Sequence, residues 1–292
     1  MASGSDYQGA SIILVGAPLD ATVSFRPGTR FGPRAIREMS YCLEEYSPDL
    51  GHDLGEVSFY DAGDLVFPLG YLDACLATIE TAAEKVLGDG KLPVFLGGEH
   101  LITLPLVKAA ARYHPDLAVI QLDAHADLRD EYLGARLSHA TVMRRVVEVV
   151  GPENVIQLGI RSAVREEVQY AGDNTLLFFH EVVSVLEDLL PSLRGRPVYV
   201  TIDIDIADPA YAPGVGTPEP GGIEARELLQ AVYFLYELNV IGLDLVEVNP
   251  AYDHRGQTAL LAAKVLREAI LCLGYGRRGK IKIVNGRNRN RG

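Results

Sequence analysis

The 292-residue chain is 48% hydrophobic and 23% charged, with 27 basic against 39 acidic residues and a net charge of −12. That balance excludes a disordered chain. It also disfavours nucleic acid and anionic membranes as partners and favours cationic ligands through long-range steering. No apolar run approaches the roughly 18 residues that cross a bilayer, and no charged start precedes an apolar stretch as in a signal peptide. Cys42, Cys75 and Cys272 are few, widely spaced and odd in number, the pattern of reduced core thiols in a cytoplasmic protein.

In chain order, an apolar β-type run at 11–18 (SIILVGAP) leads to a helical stretch, GPRAIREMSYCLEEY, with Pro33 near its start, where the missing N–H costs little. A strand is expected at 57–63, a helix at 71–87, a strand at 92–98 and a helix at 101–112. Strands follow at 117–125, 154–160, 175–179, 197–205 and 239–248, with helices at 139–150, 181–190, 224–237 and 258–273. Continuous apolar strands alternating with helices imply a mostly parallel α/β sheet covered on both faces. The longest irregular stretch, 206–222 (IADPAYAPGVGTPEPGG), is of a length that is usually functional inside a compact domain. The simplest organisation is one catalytic domain over 1–274, with its site at the carboxyl ends of the strands. Residues 275–292 hold seven basic residues and no acid and read as a disordered end or an expression scar, in preference to a nucleic-acid arm.

Three strand ends carry chemistry. In VIQLDAHADLRD (119–130), Asp123, His125 and Asp127 alternate, so an extended chain would present all three on one face. VYVTIDIDIADP (198–209) ends in Asp203 and Asp205, and VFLGGEH (94–100) in two glycines, Glu99 and His100; glycines there permit close backbone approach. Carboxylates gathered in one partly buried place repel one another and do not all ionise unless a cation is present. Carboxylate oxygens with some imidazole nitrogen and no thiolate suit Mn²⁺ or a similar ion. Four carboxylates balance two such ions, which about 3.5–4 Å apart can ionise a shared water.

GGEH, DAHADLR and DIDIADPAYAPG together resemble the ureohydrolase (arginase/agmatinase) family, over about residues 11–273. SFRPGTRFGPRAIRE, SHATVMRR and LVEVNPAYDH extend the likeness and look most like the bacterial agmatinases. The resemblance implies a three-layer α/β/α fold with an eight-stranded, mostly parallel sheet, assembled as homotrimers or homohexamers. It implies two Mn²⁺ per subunit, one held by His100, Asp123, Asp127 and Asp203, the other by Asp123, His125, Asp203 and Asp205. Glu247 would pair with the substrate guanidinium and His139 would be the mobile proton-transfer group; with Asp127 these form the expected catalytic set. The implied reaction is hydrolysis of agmatine to putrescine and urea by a metal-bridging hydroxide. Hydrolysis of arginine, 4-guanidinobutyrate or formiminoglutamate, and a non-catalytic regulatory homologue, are the alternatives. The intact ligand set argues against the last.

Substrate choice is read from loops. The stretch after the metal motif, LRDEYLGARLSHA, contains Asp130 and Glu131, which disfavour a substrate carboxylate and suit a distal ammonium, with Arg129 and Arg136 as opposing charges. Asp20 and Arg26 are candidates for shaping the entrance, and His254 follows the Glu247 strand closely. Glu99 stands where many relatives have Asp and is expected to support the ligands from behind. Ala21, Ala207 and Val215 depart from the commoner residues of loops expected near the pocket mouth.

Overall fold

The inner strands of an eight-stranded parallel sheet are set in the middle of the molecule by apolar runs with no solvent-facing side. The computed structural model describes residues 6–276. The strands are β1 (Ile12–Ala17), then, beyond the two-residue pair β2 (Tyr46–Ser47) and β3 (His52–Asp53), β4 (Phe59–Asp64), β5 (Leu92–Gly97), β6 (Ala118–Leu122), β7 (Val155–Ile160), β8 (Leu176–Phe179), β9 (Pro197–Asp203) and β10 (Asn239–Val246). Their order across the sheet is β4-β1-β5-β10-β9-β6-β7-β8, and all pairings within it are parallel. Every residue of β1, β5, β6 and β7 is buried, as a strand covered on both faces requires. The edge strands β4 and β8 are only partly covered. The last strand, β10, inserts between β5 and β9. That places the carboxyl ends of β5, β10, β9 and β6 side by side at the centre of one sheet edge, where ligands of open parallel sheets bind.

Two helical layers cover the sheet. On one face, α1 (Gly32–Ser40) begins the layer; on the other lie α2 (Leu72–Gly88), α3 (Thr103–Tyr113), α4 (Val142–Val150) and α5 (Arg165–Asn174). The first face is completed by α6 (Val183–Leu193), α7 (Ala225–Tyr233) and α8 (Gln257–Gly276). Each layer packs into its own apolar cluster: Ile36, Leu186, Leu228 and Leu266 in one, Ile79, Val107, Val146 and Ala171 in the other. The expected three-layer α/β/α arrangement with an eight-stranded parallel sheet is therefore the observed one.

Several local expectations are corrected. Helix α5 has no counterpart in the sequence reading, because REEVQYAGDN buries only Glu167 and Ala171 and shows no apolar stripe. The helix expected to begin at residue 139 starts instead as a 3-10 turn, His139–Thr141, and becomes α-helical at Val142. Cys75 and Cys272 are buried but Cys42 is exposed. Helix α8 runs to Gly276, past the expected domain end, and the rest of the basic tail lies outside the described residues. Among the described residues no helix is long and apolar enough to cross a membrane.

Candidate active site

The strand ends deliver their polar residues by leaving the β conformation. Strand β6 stops at Leu122 and β9 at Asp203, and Asp205 lies in a 3-10 turn, Ile204–Ile206. The expectation of one extended face carrying Asp123, His125 and Asp127 is thus corrected: Asp127 has a left-handed φ of 53°. Its carbonyl accepts from the amides of Met143 and Arg144 at the start of α4, which holds the unfavourable conformation in place. Glu247, just past β10, is left-handed too, at φ 65°. Strain of this kind at non-glycine residues costs about 1–3 kcal/mol and clusters at functional sites. The Gly97–Gly98 pair serves close approach as expected, but the backbone that approaches Gly98 is Leu19. A Cβ at Gly98 would lie 1.8 Å from the Leu19 carbonyl oxygen.

These ends converge. His100 Nδ1 lies 3.0 Å from Asp123 Oδ2, 3.1 Å from Asp127 Oδ2 and 3.5 Å from Asp203 Oδ2. His125 Nδ1 is 3.0 Å from Asp205 Oδ2 and 3.6 Å from Asp123 Oδ1. Two groups of metal-type donors result, His100–Asp123–Asp203 and Asp123–His125–Asp205, with Asp123 common to both. Asp127 stands against His100 at the side of the first group. Asp203 meets the second through its Oδ1, which accepts the Asp205 amide at 2.9 Å.

The hydrogen bonds behind His100 test whether a cation fits. Tyr199 and Thr201 donate to Asp244 at 2.7 and 2.6 Å. With its proton committed there, Thr201 Oγ1 can only accept from His100 Nε2, at 3.0 Å. Burial alone would keep this imidazole neutral, but the Asp123 and Asp127 carboxylates beside Nδ1 outweigh it and raise its pKa well above the ordinary value, so Nδ1 must carry either a proton or a metal ion. A lone pair facing anions is repulsive, whereas a divalent cation between them satisfies every donor. The set therefore fits hard divalent metal ions.

The sequence reading missed the polar row beneath. Asp244, Thr201, Gln121 and Gln157 are register neighbours across β10, β9, β6 and β7. Gln157 donates to Gln121 at 2.6 Å, and Gln121 donates to Asp123 at 2.6 Å. The signal was available: a polar side chain inside an apolar central strand must have a partner.

Electrostatics set these acids apart. Burial raises Asp203 well above the carboxylate range, reinforced by Asp205 and Asp123. Burial and Asp123 push Asp127 up to about 7. Burial opposes charge on Asp123 too, yet the hydrogen bonds of His100 and His125 outweigh it and hold Asp123 low. Glu247 is pushed up to about 8, chiefly by burial and also by Glu99 and Asp205, against the amide of His100, which donates to its Oε1 at 2.8 Å.

A cavity of about 280 Å³ opens over the cluster, lined among others by His125, Asp127, His139, Glu167, Thr217 and Glu247. His139 is half-buried. Burial, with His100 and His125 nearby, pushes its pKa down to about 4, so it is neutral at pH 7. Glu167, unsuspected from sequence, is buried on this wall. It accepts from the amides of Leu128 and Val164 at 2.9 and 2.8 Å, one half of a capping box at the start of α5, whose N-cap is Val164 and so lacks the Ser/Thr that would mark it in sequence. The acidic-loop expectation fails: Asp130 is drawn off by Arg145 at 2.6 Å, with Arg136 and Arg144 near. Neither it nor Glu131 nor Arg136 lines the cavity, while Arg129 does. Nor do Asp20, Arg26 and His254 reach it. Asp20 holds Gly28 and Arg30, Arg26 sits over Phe25 and Tyr252, and His254 is exposed. Ala207 and Val215 are core residues and not part of the mouth, and Ala21 is exposed outside the cavity.

Comparison with known proteins agrees with this geometry. The model of the arginase family matches residues 10–272. The agmatinase of Halalkalibacterium halodurans is 51% identical over 272 residues, spanning 92% of this chain and 94% of its own. That of Bacillus subtilis is 50% identical over 274 residues, spanning 93% and 94%. The crystal structure of a putative agmatinase from Clostridium difficile superposes with a TM-score of 0.90 at 38% identity, covering 92% of this chain and 99% of that one. A parallel sheet that gathers buried Asp and His at its central strand ends, matched over nearly its whole length by these proteins, places the chain in the arginase family, as a ureohydrolase.

Proposed function

We propose that this ureohydrolase acts on agmatine, releasing urea and putrescine, with two manganese ions held by His100, Asp123, His125, Asp127, Asp203 and Asp205. One observation carries the reading: Glu247 stands buried beside the carboxylate–imidazole cluster with one oxygen held by the His100 amide and the other 3.3 Å from where a Cβ at Gly216 would lie, on the cavity side. The relatives that are about half identical along nearly the whole chain bear the name agmatinase, which supports the choice of substrate.

A guanidinium satisfies Glu247 through a charge-assisted contact and removes the cost of an unpaired buried carboxylate. That contact fixes the guanidinium carbon over the cluster, and such orientation removes much of the entropic barrier to attack. When bound, two divalent ions supply a water ionised near neutral pH. His139, neutral and on the cavity wall, holds or passes the proton that the departing amine must gain. Glu167, the buried acid in the cavity lining, is the carboxylate that would meet the distal ammonium of agmatine in place of Asp130 and Glu131. Hydrogen bonds from Arg161 to the carbonyls of Asp205, Ile206 and Glu219 fasten the 206–222 loop under the site.

The test is urea release by the manganese-loaded protein from agmatine, arginine and 4-guanidinobutyrate side by side. Preference for agmatine by at least about tenfold in kcat/KM is expected, a difference of about 1.4 kcal/mol. Preference for a substrate bearing a carboxylate would keep the chemistry and overturn the substrate. No urea from any of the three would overturn the activity.

A further inference from the structure

Glu99 presents a puzzle that the reaction does not use. It is fully buried and adjoins His100, yet its carboxylate turns away from the cluster toward the loop after β1. Its Oε2 accepts from the amides of Ala21 and Thr22 at 3.0 and 2.7 Å, and its Oε1 from Thr22 Oγ1 at 3.0 Å. The same loop is docked by the Glu99 amide, which donates to the Leu19 carbonyl at 2.8 Å. A carboxylate this deep costs free energy, which these three hydrogen bonds offset.

The loop it clamps meets His139. Thr22 Oγ1 accepts from the His139 amide at 3.1 Å and lies 3.4 Å from His139 Nδ1. A hydroxyl has one proton, and that of Thr22 is given to Glu99. Toward the imidazole Thr22 therefore acts only as an acceptor, which selects the tautomer protonated at Nδ1. The lone pair is left on Nε2, which lies 3.3 Å from Ser24 Oγ on the cavity wall. Ser24 in turn accepts from Tyr132, whose ring packs edge-on against His139 at 5.8 Å. The 22–24 loop and Tyr132 thus meet on one imidazole, and the charged group that the Thr22 hydroxyl bonds is Glu99.

We infer that Glu99, acting through the Thr22 hydroxyl, is a positioning residue that fixes the orientation and tautomer of His139 with Nε2 toward the substrate. This rests on the proposed proton-transfer role of His139. It explains why a buried acid is kept in a place where it touches neither the cluster nor the cavity.

A double-mutant cycle tests it in the manganese-loaded protein with agmatine as probe. Thr22→Val keeps the shape and removes the hydroxyl. It should lower kcat about tenfold, within the range of general acid–base contributions, with KM changed less than about twofold and bound manganese unchanged. Thr22→Ser should restore most of the loss. In a His139→Asn background, Thr22→Val should cost nothing further, since residues acting as a unit are not additive. Glu99→Gln, whose amide would donate to Thr22 and free the hydroxyl proton, should reproduce Thr22→Val, and crystal structures of these variants should show the His139 ring turned. Equal losses from Thr22→Val in both backgrounds, or wild-type kcat in Thr22→Val, would overturn the inference. Full turnover by His139→Asn would overturn the role of His139 and this inference with it, a result distinct from the additive one.

Discussion

Two buried glutamates keep different electrostatic company. Glu268, on α8, is closed within its own chain: Lys264 lies 2.7 Å from Oε1, Arg267 reaches the same oxygen, and Ser47 donates to Oε2 at 2.7 Å. Burial would raise its pKa, but these partners outweigh it and hold it below the ordinary value. Glu247, past β10, has one amide partner and a pKa pushed up to about 8. The first acid is compensated by the fold; the second is left short of a cation. That difference is the one expected between a carboxylate kept for stability and one proposed to meet a ligand, and the raised carboxyls of Asp127 and Asp203 share it.

The largest effect should come from the cluster itself. Asp123→Asn removes the carboxylate common to both donor groups and should lower turnover by about a thousandfold or more with loss of bound metal, since losing a mere outer-shell partner already costs about 10–100-fold. Normal turnover with a full complement of metal would sink the shared-ligand assignment. Next, Glu247→Gln should lower kcat/KM about 100-fold while metal is retained, on the scale of a lost charge-assisted contact. Unaltered kinetics there would mean that the guanidinium is held elsewhere.

The compensated glutamate should behave in the opposite way. Glu268→Ala leaves Arg267 buried beside nothing but the carbonyls of Glu44 and Tyr46, so unfolding should become easier by about 3 kcal/mol while kcat of the folded protein is unchanged. A denaturation midpoint equal to wild type, or a fall in kcat, would break the comparison. The smallest effect is one of pH. Because the folded-state pKa of Glu268 is lowered from 4.5, the stability it contributes is fully present above that value. It is lost as pH falls below 4.5 through the folded value. Glu268→Gln should therefore flatten the acid limb of the stability profile; an acid limb identical to wild type would contradict the assignment.

Legibility in the sequence followed from how local the cause was. The central strands were readable because burial on both faces demands mostly apolar runs, as in β1 and β5. The metal-type residues were readable because strand ends in parallel sheets point at one edge. How they reach the site was not. The left-handed φ of Asp127 depends on amides of α4, a tertiary contact with no local signature. Helix α5 escaped because its stability comes from Glu167 bonded to Leu128 and Val164, not from an apolar face. Asp130 was misread because its fate is decided by Arg145, fifteen residues on, in competition with solvent and substrate.

The two-ion occupancy proposed for this cluster can be counted. Its most direct measurement is the number of manganese ions retained per chain after loading and extensive desalting, by elemental analysis, with agmatine hydrolysis followed on the same samples. Two ions per chain, with turnover rising in step with the second, is the predicted result. Retention of no more than one ion at full turnover, or full turnover after complete chelation, would contradict the account.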